Sequence, residues 1–445
     1  MSITPKLTRF DLSMIVISLV IGMGIFATPG EVATSSSNPF LYFGAWFFGG
    51  AVSLCGALTF AEIGARYPTT GGFYKVFSYC FHPAFAFMIN WILVISNAAS
   101  VAAVALIGAE YINPIIMPAN LQNDLGIKIM TITSVLILYV INFLGIKMSA
   151  RTQNALTIFK ISMILILCTA VFKSHITPGT YRIIVPPGNN KYNLSAFGIS
   201  LVAVFFTYGG YQQTINFGGD IINAKTNIPK AIFTGMITVI FLYLLINFAY
   251  YSVLGIKGLQ HKTALAATLA GAIFGAVGYK IISLLMFVSV LAFINVNIMA
   301  NPRVYYAMAE DGILPNRFKR VNQKTQVQEF GLSFFVTAVL LILFFISSFQ
   351  KMLSYVMFFD TIGLSTAAVT IFILRKKTKH LDGSGIYTMK WYPVIPIIFI
   401  VAYWFVTISI FIENPLAALI CLCAFVVGLI IYFITKNNQN TIIIP

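Results

Sequence analysis

The stretch that decides the fold is Ser18-Leu-Val-Ile-Gly22-Met-Gly24-Ile-Phe26-Ala-Thr-Pro29-Gly30, where glycines interrupt an apolar run. A second apolar run, Val204-Phe-Phe-Thr-Tyr208-Gly209-Gly210, is interrupted in the same way much later in the chain. Each such glycine costs a helix about 1 kcal/mol relative to alanine. Broken helices are tolerated at membrane depth only where the freed backbone is buried in protein or lines a cavity. Corresponding breaks in two halves of a membrane protein therefore predict the binding site of a transporter.

The composition is that of an integral membrane protein. Of the 445 residues, 59% are hydrophobic and 9% are charged, whereas soluble domains carry about 25% charged residues. A membrane helix needs about 20 apolar residues. About twelve such stretches predict an all-α protein, and they lie near 11–37, 40–66, 84–112, 129–146, 153–173, 195–221, 230–255, 276–309, 331–348, 352–374, 391–411 and 415–435.

The order of these stretches predicts an inverted repeat. Helices 1–5 and helices 6–10 each open with a glycine-broken span, and because five is odd the second set crosses the membrane in the opposite sense. We expect a first repeat over 1–174, a second over 195–375, and helices 11 and 12 over 390–436, packed outside the repeat.

The charge distribution predicts the orientation. The net charge is +16, but it lies in short loops, where positive charge marks the cytoplasmic side and not a nucleic-acid surface. An even number of spans leaves both termini on one side. That side holds nineteen of the 28 lysines and arginines, against eight opposite and Lys160 within the membrane. Both termini are therefore expected to be cytoplasmic, in the inner membrane of a bacterium.

Catalytic and metal-binding patterns are not evident in the sequence. It contains no HExxH motif, nucleophile elbow or Walker loop, and its five cysteines lie in or beside apolar stretches, as small buried hydrophobes do. We expect no enzyme activity, no cofactor and no metal site.

Four motifs in order carry a family resemblance. They are Gly22-Met23-Gly24-Ile25-Phe26, Ala61-Glu62-Ile-Gly-Ala-Arg66-Tyr-Pro68-Thr-Thr-Gly71-Gly72-Phe-Tyr74, Phe205-Phe206-Thr-Tyr208-Gly209 with Asp220, and Asn301-Pro302-Arg303-Val-Tyr-Tyr-Ala307-Met-Ala309-Glu-Asp311-Gly312-Ile-Leu-Pro315. Together they resemble the amino acid–polyamine–organocation transporters. The resemblance implies the broken-helix inverted repeat first seen in LeuT, and an aromatic gate on helix 6. We expect this gate to be Phe206, with ordinary packing as the alternative.

The breaks themselves predict an α-amino acid site. The N–H groups of Met23, Gly24 and Ile25 begin a half-helix, whose positive end favours a carboxylate, and Gly22 and Gly24 let a ligand approach the backbone. Carbonyls at the helix ends would accept an ammonium group. The predicted acceptors are the carbonyls of Val20, Ile21, Phe206, Thr207 and Gly209, and Tyr208 is predicted to belong to the same site. The alternative is that these glycines only permit close helix packing.

Two charged residues lie near the middle of apolar stretches, and such charges are candidates for function. Lys160 follows Gly145-Ile-Lys147-Met-Ser149-Ala-Arg151-Thr-Gln-Asn154. In proton-coupled members of the family this pattern precedes a lysine that substitutes for the second sodium ion, which implies a proton carrier here. The alternative for Lys160 is snorkelling to the interface.

Asp360 is interpreted as a second proton site or as a partner for a cationic substrate. The alternative is a carboxylate that is hydrogen-bonded to its neighbours.

These observations predict a secondary transporter of L-amino acids that works by alternating access without sodium, through proton symport or amino acid exchange. A polyamine or amine carrier or antiporter is the second hypothesis, and a membrane sensor without transport is the third. Substrate, protons and lipid are the expected partners, and the oligomeric state is left open.

Overall fold

The structure is a computed structural model, and it describes residues 3–36, 38–169, 172, 190–260, 265–344, 349–382 and 384–440. Fourteen α-helices account for most of these residues. They are α1 (Arg9–Val20), α2 (Gly24–Ser36), α3 (Pro39–Arg66), α4 (Gly72–Cys80), α5 (Pro83–Ile116), α6 (Asp124–Phe143), α7 (Ile146–Cys168), α8 (Asn190–Tyr208), α9 (Ala224–Leu259), α10 (Leu265–Glu310), α11 (Glu329–Leu343), α12 (Phe349–Lys377), α13 (Val394–Glu413) and α14 (Pro415–Asn440).

Each of the twelve predicted spans coincides with a helix or a helix pair in the structure. Among the described residues, eight helical segments are long and apolar enough to cross a membrane, counting α1 and α2 together. An all-helical membrane protein is therefore confirmed. The total of twelve spans and the inverted repeat over 1–174 and 195–375 stay predictions, and residues 173–189 between the two halves lie outside the described part.

The first glycine-broken span forms two helices. α1 ends at Val20, α2 begins at Gly24, and the backbone turns between them, with the N–H of Gly22 donating to the carbonyl of Val20 at 2.8 Å. The residues before the break are apolar and almost completely buried, because α1 packs against α7, α9 and α10. The predicted break in helix 1 is thus confirmed.

The second break follows α8. Gly209 and Gly210 separate it from a 3₁₀ helix, Tyr211–Asn216. Gly210 has a φ of +109°, which favours glycine, and a Cβ at this position would lie 2.3 Å from the carbonyl oxygen of Leu19. The missing side chain of Gly210 therefore allows the second break to pack directly against the residues before the first.

Helix α13, the predicted helix 11, lies closer to the centre than expected. It packs against α3, α8 and α12. Its Tyr403 is fully buried and stacks on Phe205 with ring centroids 4.8 Å apart. Because of this contact, a helix outside the predicted repeat still contributes a side chain to the cavity described below.

Candidate functional site

A cavity of about 60 Å³ lies where the two breaks meet, and we call it the central cavity. Its walls come from the break between α1 and α2, the break after α8, and side chains of α5, α10, α12 and α13. Seven of the ten residues predicted to bind a ligand line it. These seven are Val20, Gly22, Met23, Gly24, Phe206, Thr207 and Gly209.

The first break presents unused hydrogen-bond donors. Among the described residues, the backbone N–H groups of Met23, Gly24 and Ile25 have no acceptor. Met23 and Gly24 line the central cavity, and Ile25 is buried behind it. Free N–H groups at a helix N-terminus attract an anion, so the site can hold a carboxylate.

Some backbone carbonyls near the breaks, which the sequence analysis predicted to be available to a ligand, already accept hydrogen bonds within the protein. The oxygen of Val20 accepts hydrogen bonds from the N–H of Gly22 at 2.8 Å and the hydroxyl of Tyr243 at 2.9 Å. The oxygen of Thr207 lies 3.1 Å from the same hydroxyl, and because a tyrosine hydroxyl has one hydrogen, Val20 and Thr207 share that donor. The oxygen of Phe206 accepts from the N–H of Gly209 at 3.2 Å.

Tyr243 of α9 joins the two breaks, and sequence reasoning missed it. Its hydroxyl lies within hydrogen-bonding distance of Val20 in the first break and Thr207 in the second, and its side chain is fully buried. Thr28 of α2 adds a hydroxyl contact to Thr207 at 2.7 Å. The sequence offered no signal for Tyr243, because it sits within a uniformly apolar helix.

The two glycines of the first break have different surroundings. A Cβ on Gly24 would lie 2.8 Å from Oγ1 and 3.1 Å from Cα of Thr207. A Cβ on Gly22 would lie 3.2 Å from the ring of Phe293, a side chain that can turn. Gly24 therefore has a packing role between α2 and α8, as the alternative interpretation required, while both glycines also line the central cavity.

The three predicted residues outside the central cavity are Ile21, Ile25 and Tyr208. Tyr208 is fully buried against Trp46 and Tyr243, with ring centroids 5.9 and 5.0 Å away. Phe206, the predicted gate, is half-buried and lines the cavity. A gating role for Phe206 remains a prediction.

Lys160 of α7 lies at the first break and not at the membrane interface. Its side chain is fully buried, and its ammonium donates to Oγ of Ser18 at 3.2 Å and to the carbonyl of Ile21. In the part of the chain that the structure describes, no carboxylate pairs with it. The ammonium charge is thus balanced by backbone and hydroxyl dipoles at the point where α1 ends. The Lys160 side chain therefore does not snorkel towards the membrane interface.

Asp360 of α12 lines the central cavity and also a second, smaller cavity next to it, which we call the side cavity. The two cavities share the residues Asn97, Gln212, Gln213, Asp360 and Leu364. Asp360 is only partly exposed, and no hydrogen bond or ion pair to it is seen among the described residues. The described residues therefore do not show the alternative, in which neighbouring side chains hydrogen-bond the carboxylate of Asp360.

The sequence did not determine which amide side chains of the apolar helices line the cavities. Asn97 donates to Asn301 at 2.9 Å and accepts from Gln213 at 3.3 Å. Their polarity in apolar helices was visible in the sequence, but the face of each helix that looks inward was not. Asn301 and Asn216 line the side cavity, so this chain of amides continues away from the central cavity.

Two ion-pair clusters lie beyond the side cavity. The side chain of Arg303 binds Asp220 through two contacts of 2.7 and 3.2 Å, and both residues are buried. Glu62, also fully buried, accepts from Arg66 at 2.7 Å and from Arg375 at 2.7 and 2.8 Å. The first pair ties α10 to the segment after the second break, and the second cluster ties α3 to α12.

Comparison with known proteins agrees with this architecture. A family model described as amino acid permease matches residues 7–441. The serine/threonine exchanger SteT of Bacillus subtilis (strain 168) is 30% identical over 433 residues, with 96% of this chain and 95% of the relative covered. The large neutral amino acids transporter small subunit 2 of Homo sapiens is 24% identical, covering 96% and 79%. The methylthioribose transporter of Bacillus subtilis (strain 168) is 25% identical, covering 89% and 86%.

The family model matches nearly the whole chain, and a relative that is 30% identical covers 96% of it, so the chain belongs to the amino acid permease family within the amino acid–polyamine–organocation transporters.

Proposed function

We propose that this permease is a sodium-independent secondary transporter of L-amino acids, driven by proton symport or by exchange. It acts by alternating access in the inner membrane, with both termini cytoplasmic. The observation that carries the proposal is the first break, where N–H groups without acceptors line a cavity at a helix N-terminus. These donors suit the carboxylate that every amino acid has, and the relatives are named as amino acid carriers.

The ammonium group of the substrate binds beside the carboxylate, because both are attached to the same carbon. Thr207 and Gly209 line the cavity at the second break, and the carbonyl of Thr207 has a second lone pair besides the one that faces the hydroxyl of Tyr243. We assign the ammonium to the carbonyl of Thr207. The oxygen of Val20 already accepts from the N–H of Gly22 and shares the hydroxyl of Tyr243.

Lys160 supports sodium independence. Its ammonium touches Ser18 and Ile21 at the end of α1, and a cation bound to the same oxygens would meet a like charge at contact distance. We assign to Lys160 the role of the second sodium ion, and the role of proton carrier if transport is proton-coupled.

Alternating access requires one end of the pathway to be closed while the other opens. We assign to the Asp220–Arg303 and Glu62–Arg375 pairs the closing of the cytoplasmic end, the side that the distribution of lysine and arginine predicts. Phe206, at the wall of the central cavity, is the proposed gate on the other side.

An amine or polyamine carrier is the second candidate, and Asp360 is the observation that favours it, since its carboxylate lines the cavity without a partner among the described residues. A polyamine has no carboxylate, however, and would leave the donors of Met23 and Gly24 unused. In the amino acid proposal, both the N–H donors of the first break and the carboxylate of Asp360 have a role in the site.

Uptake into proteoliposomes tests the proposal. A panel of radiolabelled amino acids and diamines is offered with pH and sodium gradients imposed separately, and again with internal amino acid for exchange. We expect saturable uptake of amino acids whose rate does not depend on the sodium gradient. Uptake of diamines alone would favour the second candidate, and binding without any uptake or exchange would identify a sensor.

A further inference from the structure

Asp360 lies in an unusual position for a carboxylate. It belongs to α12, within the apolar span Val356–Lys377, and it lines both the central and the side cavity. No cation approaches it within ion-pair distance in the described part of the chain. A charge buried at membrane depth is expensive unless it is paired, so the position favours a partner that arrives from outside the protein.

The side chains around Asp360 are hydrogen-bonding groups without charge. Asn97, Gln212 and Gln213 line the same two cavities. Gln212 uses its carbonyl oxygen to accept from the N–H of Gly210 at 2.9 Å, and Asn97 is engaged with Asn301 and Gln213. The amides thus largely satisfy one another, and Asp360 is left as the charged acceptor.

The size of the central cavity limits what can reach Asp360. About 60 Å³ is room for roughly four to six water molecules, at about 10–15 Å³ each. A ligand that fits is therefore an amino acid with a short side chain. Because the cavity is small, a ligand whose carboxylate binds at Met23 and Gly24 also lies against the wall that contains Asp360.

The two ends of such a ligand have different surroundings. Its carboxylate and α-ammonium share one carbon and lie at the breaks formed by α1, α2 and α8. The remaining walls of the cavity, which are left for its side chain, come from α5, α10, α12 and α13, and Asp360 is their charged residue. We infer that Asp360 is the side-chain subsite of the transporter, and that it selects short amino acids whose side chain ends in a hydrogen-bond donor, a protonated amine above all. This inference rests on the proposed function.

Three amino acids of nearly equal size test the subsite. L-2,3-diaminopropionate, L-serine and L-alanine carry an ammonium, a hydroxyl and a hydrogen on the same β-carbon. We expect the purified protein in detergent at pH 6 to bind diaminopropionate about tenfold or more tighter than alanine, with serine between them, since hydrogen bonds to charged groups are the strong ones. Asp360→Asn should abolish the preference for diaminopropionate over alanine.

The matched control is Asp124→Asn, which makes the same chemical change at an exposed carboxylate in the first turn of α6. It should keep the wild-type order of affinities. Asp360→Glu, which keeps the charge, should retain a preference for diaminopropionate. Equal loss of all three ligands in Asp360→Asn would overturn the inference, as would an unchanged order. If the wild-type protein binds none of the three and no other amino acid, the proposed function fails as well, so the two failures are distinguishable.

Discussion

The ammonium group of Lys160 in α7 donates a hydrogen bond to the backbone carbonyl of Ile21, the residue that directly follows α1 and caps its C-terminus. A second bond to Oγ of Ser18, at 3.2 Å, fixes the side chain on the last turn of the same helix. A helix end leaves carbonyls without partners, and here a cation from another helix supplies one. The break in the first span is thus stabilised by a charge that the protein itself contributes.

Removing that charge should uncouple transport. In Lys160→Met we expect proton-driven accumulation to fall about tenfold or more, because the carbonyl of Ile21 loses its donor and the proton carrier is gone. Proteoliposome uptake with an imposed pH gradient measures this. In the wild type, replacing external sodium by potassium should leave the initial rate unchanged.

Lys147→Met is the control, since Lys147 lies in the same helix but is exposed. It should transport normally. A strict sodium requirement in the wild type, or full pH-driven accumulation in Lys160→Met, would contradict the assigned role.

The two glycines of the first break should respond differently to alanine. Gly24→Ala places a Cβ 2.8 Å from Oγ1 of Thr207, and such overpacking costs about 1–3 kcal/mol, so the melting temperature should fall. Gly22→Ala meets only the movable ring of Phe293 at 3.2 Å, so it should fold nearly normally but bind amino acids more weakly. Thermal melts and binding titrations separate the two effects. Wild-type affinity in Gly22→Ala would show that this residue does not approach the ligand.

The buried pair of Asp220 and Arg303 should hold one end of the pathway closed. Breaking a buried pair leaves an uncompensated charge, at a cost of about 3–5 kcal/mol. The reporter is a cysteine placed at Asn301, which lines the side cavity, in a protein without its native cysteines. We expect thiol reagents to label this cysteine faster when Asp220→Asn is added. Asp311→Asn breaks the more exposed pair with Lys75 at the same end and should leave labelling unchanged. Equal labelling in both variants would exclude a closing role for Asp220.

The cluster around Glu62 contains a second carboxylate, Asp382, which accepts from Arg66 at 2.8 Å, and the two carboxylates should contribute unequally to stability. Glu62 is fully buried and also accepts from the N–H of Met389 at 2.9 Å. Glu62→Gln should therefore destabilise the protein by about 3–5 kcal/mol, whereas Asp382→Asn should lower the melting temperature only slightly, because Asp382 is exposed.

The contribution of Asp382 should also depend on pH. Its hydrogen bond from Arg66, at 2.8 Å, lowers the pKa of Asp382 below the usual value. A lowered pKa means that the contact stabilises above the ordinary value of about 4 and is lost as pH falls through the lowered pKa. The difference in melting temperature between the wild type and Asp382→Asn should be constant from about pH 8 to 5 and disappear in more acidic solution. A difference that grows with acidity would have the wrong sign.

The sequence by itself determined the class of protein, the positions of both breaks and the family. These follow from local properties. An apolar run of sufficient length must cross the membrane, and glycines weaken a helix whatever the tertiary structure around it. The same reasoning located Lys160 and Asp360, because a charge in an apolar run is conspicuous. The backbone donors of Met23 and Gly24 were likewise predictable, since every helix begins with unused N–H groups.

Only the tertiary structure decided which groups meet. Tyr243 reaches the carbonyls of Val20 and Thr207 because α9 packs beside both breaks, and Tyr403 enters the cavity from a helix expected to lie outside it. The apolar pattern of a membrane helix does not reveal which face looks inward, because lipid and protein interior are equally apolar. The rotation of each helix, and with it the partners of Asn97, Asp360 and Gly24, is set by packing between helices that are distant in the chain.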